Sequence, residues 1–123
     1  MRNFRNYEVW KESMDFVIEV YRTIQSFPSF ERYGIADQLR RASVSIPSNI
    51  AEGASRPTDK EFVRFLHFSM GSAFEVETQL LIANRLNYIS TEKNLELMTF
   101  VHLIEKQLNS LISSIQVSLQ AKS

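Results

Sequence analysis

Seven residues spaced four and three apart constrain this chain more than anything else in it: Phe62, Leu66, Ser69, Ala73, Val76, Leu80 and Ala83. An α-helix puts such positions on one side, because about 3.6 residues complete a turn. A strand would alternate with a period of two, and the chain shows no such pattern. The spacing predicts a helix over roughly residues 59–86. Its start is written in Thr58-Asp59-Lys60-Glu61, where the Thr58 hydroxyl and the Glu61 carboxylate can close the first turn. Pro57 separates it from the segment before.

Three more segments carry helical spacing. Over roughly 8–27, Trp10, Met14, Val17, Tyr21 and Ile24 form a stripe, Lys11 and Asp15 form an i,i+4 pair, and Pro28 ends the helix. Over roughly 34–55 the stripe is Leu39, Ala42, Ile46, Ile50 and Gly53, in a run rich in small residues. Pro47 stands inside that run. It removes the partner of the Ser43 carbonyl and bends one helix, the preferred reading, or else opens a second helix. Ser43, Ser48 and Asn49 are candidates to satisfy freed backbone groups. Over roughly 91–117, capped by Ser90 or Thr91, the stripe is Leu97, Val101, Ile104, Leu108, Leu111 and Ile115. Residues 120–123 are expected to fray.

Four amphipathic helices with short connections pack as antiparallel neighbours. The expected architecture is all-α: one domain over residues 1–123, an up-down-up-down four-helix bundle. Ala51 and Ala73 are read as core. Gly71 is expected where the third helix packs closely on the small-residue face of the second. Phe65, Phe68, Phe74, Met98, Ile112 and Leu119 exceed what narrow stripes need. They widen the core or form a subunit interface.

Chemistry is harder to find. The absence of cysteine excludes disulfides, thiolate metal sites and cysteine nucleophiles. Di-iron bundles need Glu-x-x-His pairs, but Arg64 and Thr99 stand three residues before His67 and His102. Glu75 and Glu77 are two apart and point to different sides of a helix. The Arg-then-His spacing of helical toxin ribonucleases is missing, as are a Gly-x-Ser-x-Gly turn and a Gly-rich phosphate loop. No catalytic residue, cofactor or metal site is therefore expected. No long apolar run exists, so no membrane span is expected and the location is read as cytoplasmic.

Fourteen basic residues face fourteen acidic ones, which disfavours a strongly basic nucleic-acid wrapper. Arg40, Arg41, Arg56, Lys60 and Arg64 nevertheless cluster in the middle of the chain, interleaved with Glu52, Asp59 and Glu61. They form a solvated, mutually paired surface or a patch that contacts phosphates or a partner.

The run Gln38-Leu39-Arg40-Arg41-Ala42-Ser43-Val44-Ser45-Ile46-Pro47-Ser48-Asn49-Ile50-Ala51-Glu52-Gly53 resembles the signature of a bacterial four-helix-bundle family. That family is named for proteins encoded in intervening sequences of 23S rRNA genes. Tyr7-Glu8-Val9-Trp10-Lys11, Phe27-Pro28, Glu31-Arg32-Tyr33-Gly34 and Phe62-Val63-Arg64-Phe65-Leu66 resemble its flanks, as do Gly71-Ser72 and Glu75-Val76-Glu77-Thr78-Gln79-Leu80. The resemblance implies a ring-like homo-pentamer without catalytic activity, associated with rRNA or the ribosome. A related branch, the accessory proteins of diversity-generating retroelements, binds a reverse transcriptase and nucleic acid. Those proteins are markedly basic, whereas this chain is neutral. The function expected is a non-enzymatic homo-oligomeric interaction module for RNA or a ribonucleoprotein. The alternative is a protein-only scaffold that recruits an enzyme such as a reverse transcriptase. Within the signature, Pro47, Asn49, Glu52 and Gly53 are structural positions. Glu52 pairs with Arg40, Arg41 or Arg56 across a subunit boundary, or all are plain surface charges.

Overall fold

The computed structural model describes residues 2–122. Four helices follow one another: α1 (Glu8–Ile24), α2 (Ile35–Ala54), α3 (Asp59–Arg85) and α4 (Thr91–Lys122). Short 3-10 turns at Phe4–Asn6 and Ser29–Glu31 complete the described residues, among which there is no strand. Each helix packs on its sequence neighbours, and α1 also packs on α4, which closes an antiparallel four-helix bundle. No described helix is long and apolar enough to cross a membrane.

The helix ends follow local chemistry. Thr58 accepts a hydrogen bond from the Glu61 N–H at 3.2 Å and donates to the Glu61 carboxylate at 3.2 Å, the expected reciprocal cap. Ser90, rather than Thr91, caps α4 by accepting from the Lys93 N–H at 3.0 Å. α3 ends with Asn87 in the left-handed region at φ 62°, where its short polar side chain is tolerated. The Tyr88 N–H then returns to the Ala83 carbonyl at 2.9 Å and the Asn87 N–H to Asn84 at 3.0 Å, a Schellman closure. α1 stops earlier than expected, at Ile24, because a turn at Gln25 and Ser26 precedes Pro28. α4 runs past its expected end near residue 117. It continues to Lys122, and Ser123 lies outside the described residues.

The stripes of α2 and α3 are buried as read: Leu39, Ile46, Ile50, Leu66, Ala73, Val76 and Leu80 are sealed from solvent. Leu97, Val101, Ile104 and Leu108 of α4 join them. The stripe of α1 is corrected by one residue. Val9, Ser13, Phe16, Val20 and Thr23 face the core, while Met14 and Tyr21 are exposed. Two hydroxyls hide this face in the sequence. Ser13 donates to the Val9 carbonyl at 2.6 Å and Thr23 to Glu19 at 2.8 Å, so both are buried without an unmet hydrogen bond. Lys11 reaches Glu8 at 3.9 Å, not the expected Asp15.

α2 and α3 make the tightest pair. Pro47 lies inside one continuous α2. The Ser69 hydroxyl of α3 donates to the Ile46 carbonyl at 2.8 Å, and the Ser45 and Ser72 hydroxyls lie 2.5 Å apart. Those contacts require small residues on both helices. The expected helpers around Pro47 bond elsewhere than to the Ser43 carbonyl: Asn49 donates to Ser45 at 2.8 Å and Ser43 to Arg40 at 2.9 Å. Gly53, not Gly71, marks the close approach. A Cβ on Gly53 would stand 2.6 Å from Cβ of Phe65, whereas one on Gly71 would meet nothing within 4 Å. Ala51 is corrected from core to half-buried, beside the Arg2–Arg5 segment.

The six surplus apolar residues do not form a single face. Ile112 is core, Met98 packs against it, and Phe65 and Leu119 are half-buried. Phe68 and Phe74 remain exposed on α3, at 45% and 56%, with Leu81 and Ile82 at 49% and 45%.

Candidate functional site

The five basic candidates separate into two groups. Arg40 and Arg41 sit in the second turn of α2, and both pair with Asp37, Arg41 at 2.9 Å. Arg56 follows the end of α2, and Lys60 and Arg64 lie in the first two turns of α3. About 20 Å of helix separates the groups at 1.5 Å per residue, so they do not form one patch.

The Arg56 end is the more available one. Arg56 reaches Glu61 at 3.3 Å and lies over the Phe65 ring at 5.5 Å. Arg64 lies over the Phe68 ring at 5.5 Å, and neither it nor Lys60 has an acidic partner among the described residues. Lys60 and Arg64 are one turn apart on the same face and exposed. Arg2 closes the corner behind them. Its guanidinium donates to the carbonyls of Ala54 and Arg56, at 3.3 and 2.7 Å, pairs with Asp59 and covers the Phe62 ring. The hydrogen bond from Arg2, helped by its charge and opposed by burial, holds the Asp59 carboxyl below its ordinary range. Nothing in the spacing of the sequence pointed to Arg2, which reaches α3 across more than fifty residues.

The four signature positions differ in their surroundings. Pro47 and Gly53 are buried, Gly53 against Phe62 and Phe65 of α3, and Asn49 is bonded within α2. Glu52 is exposed, and its carboxylate pairs with none of Arg40, Arg41 and Arg56 within the chain.

A second cluster escaped the sequence reading. His102 Nε2 of α4 lies 3.1 Å from Glu77 Oε1 of α3, and Glu105 joins them one turn along α4. Burial, then the neighbouring Glu77 carboxylate, pushes the Glu105 carboxyl up to about 8. Bonds to Glu105 and to His102 hold Glu77 down against its own burial. The Glu-x-x-His spacing of di-iron bundles does not reveal His102-x-x-Glu105, which has the reverse order. Its third member stands on another helix.

Residues 5–110 match the family described as 23S rRNA-intervening sequence protein. A protein of unknown function from the S23 ribosomal protein family of Bacteroides thetaiotaomicron, known from a crystal structure, has the same fold. The TM-score is 0.76 at 24% identity, over 85% of this chain and 97% of that one. No curated protein matches the chain. A family match across most of the bundle, signature helix included, fixes the assignment: the chain belongs to the 23S rRNA-intervening sequence protein family.

Proposed function

We propose that the protein is a non-enzymatic homo-oligomeric interaction module that contacts structured RNA through the bundle end bearing Arg56, Lys60 and Arg64. The observation that carries this reading is the pair Lys60 and Arg64, exposed, one helical turn apart and without an acidic partner among the described residues. Cations so placed suit phosphates along a nucleic-acid backbone. The family name, which refers to 23S rRNA, supports the same class of partner.

A chain with no net charge binds RNA weakly on its own. Self-association repeats the basic end and raises affinity by multivalency. Exposed Phe68, Phe74, Leu81 and Ile82 on α3 support such an assembly, and the pentamer that the sequence resemblance implies is the form proposed. The same apolar residues favour the second reading, a scaffold that holds a partner enzyme such as a reverse transcriptase without touching nucleic acid.

Titration with a structured RNA at two salt concentrations separates the two. The RNA reading predicts binding that weakens as salt rises, and a salt slope reduced by about one for each of Lys60→Ala and Arg64→Ala. Absence of binding at low salt contradicts it.

A further inference from the structure

We propose that Glu77 of α3 with His102 and Glu105 of α4 binds one divalent transition-metal ion of the zinc type. Their donor atoms lie within 4.8 Å of one another, at the mouth of a hollow of about 520 Å³ lined also by Phe74, Thr78 and Leu81. Ligands on a tetrahedral ion with bonds near 2.1 Å stand about 3.4 Å apart, so modest side-chain rotation closes the set. His102 and Glu105 are three apart on one helix and therefore project from one face, toward Glu77 on its neighbour.

Two further observations point to a cation. Glu105 Oε2 is shielded from solvent and makes no hydrogen bond outside its carboxyl pair with Glu77. No lysine or arginine among the described residues pairs with Glu77 or Glu105, so two carboxyl groups lie together with an imidazole as their one basic neighbour. A shielded carboxyl oxygen without a donor of its own is a ready ligand for a cation that displaces the proton. One imidazole with two carboxylates suits zinc better than magnesium or calcium, which prefer oxygen donors alone. The His102 side chain is 58% exposed, which leaves an entry path from solvent. Three protein ligands leave a fourth position open toward the hollow. The ion would join the C-terminal half of α3 to the middle of α4.

The test is calorimetric titration of the chelator-treated full chain with zinc chloride, with cobalt(II) as a spectroscopic substitute. The expected result is one ion per chain in the micromolar range and a visible absorption band with cobalt. His102→Ala and Glu105→Gln should each weaken binding by about tenfold or more. His67→Ala, which alters a histidine outside the cluster, should leave binding unchanged. Circular dichroism establishes that the variants fold, and Glu77→Gln replaces either one that does not. No saturable uptake of zinc overturns the site and leaves a carboxyl pair that shares a proton. Affinities in the three cluster variants equal to the parent's overturn it as well.

Discussion

Gly53 of α2 and Phe65 of α3 approach so closely that a side-chain carbon on the glycine would stand 2.6 Å from Cβ of the phenylalanine, with the Phe62 carbonyl oxygen 3.3 Å away. These are backbone-fixed atoms, so relief requires the two helices to separate. Gly53→Ala is expected to cost about 1–3 kcal/mol as an overpacked seam. Gly71→Ala has the opposite sign. Its Cβ enters open space on an exposed helical face, and losing the glycine's backbone freedom stabilises by about 0.5–1 kcal/mol. Urea unfolding of both variants checks the pair, and equal shifts would contradict the placement of the seam.

Ala73 and Ala51 provide a second contrast. Ala73 is sealed in the core, so Ala73→Glu buries an unpaired charge and should cost about 3–5 kcal/mol or abolish folding. Ala51 is half-buried, and a glutamate there can turn toward solvent beside Arg2 and Arg5. Ala51→Glu should therefore be much milder. Thermal melts that rank the two in reverse would refute this burial pattern.

The pairing of Arg2 with Asp59 sets a pH dependence. The carboxyl of Asp59 titrates below its ordinary value of 3.8 in the folded chain, because Arg2 hydrogen-bonds it and burial opposes only in part. Its contribution is then complete above that ordinary value and disappears as pH falls through the lower folded value. Glu19 behaves alike through its bond with Lys93 at 3.2 Å. Arg2→Ala should flatten the fall in melting temperature between neutral pH and strong acid. An unchanged acid limb would remove the role given to Arg2.

Sequence periodicity exposes the parts of this fold that depend on one helix at a time. The α2 and α3 stripes are legible because nearly every buried position there is apolar or small. α1 misleads because Ser13 and Thr23 are polar letters that bury themselves by bonding their own backbone, while Met14 and Tyr21 are greasy letters left outside. The relations that join helices are not written in spacing. Gly53 rather than Gly71 at the close approach, Arg2 closing the α2–α3 corner, and Glu77 meeting His102 and Glu105 all depend on how the rods are set beside each other. Of the basic candidates, the sequence supplied the residues. The structure separated Arg40 and Arg41, which are held by Asp37, from Lys60 and Arg64, which have no acidic partner among the described residues.

Self-association is the claim on which the proposed function depends, since in that proposal repetition of the Lys60 and Arg64 end gives a neutral chain its affinity for RNA. Light scattering coupled to size exclusion, at tens of micromolar protein, measures it directly. The account predicts a mass near five times 14.3 kDa, and a smaller one when Phe74→Asp places a charge on the exposed face of α3. A parent protein that elutes as a single 14.3 kDa chain would contradict it.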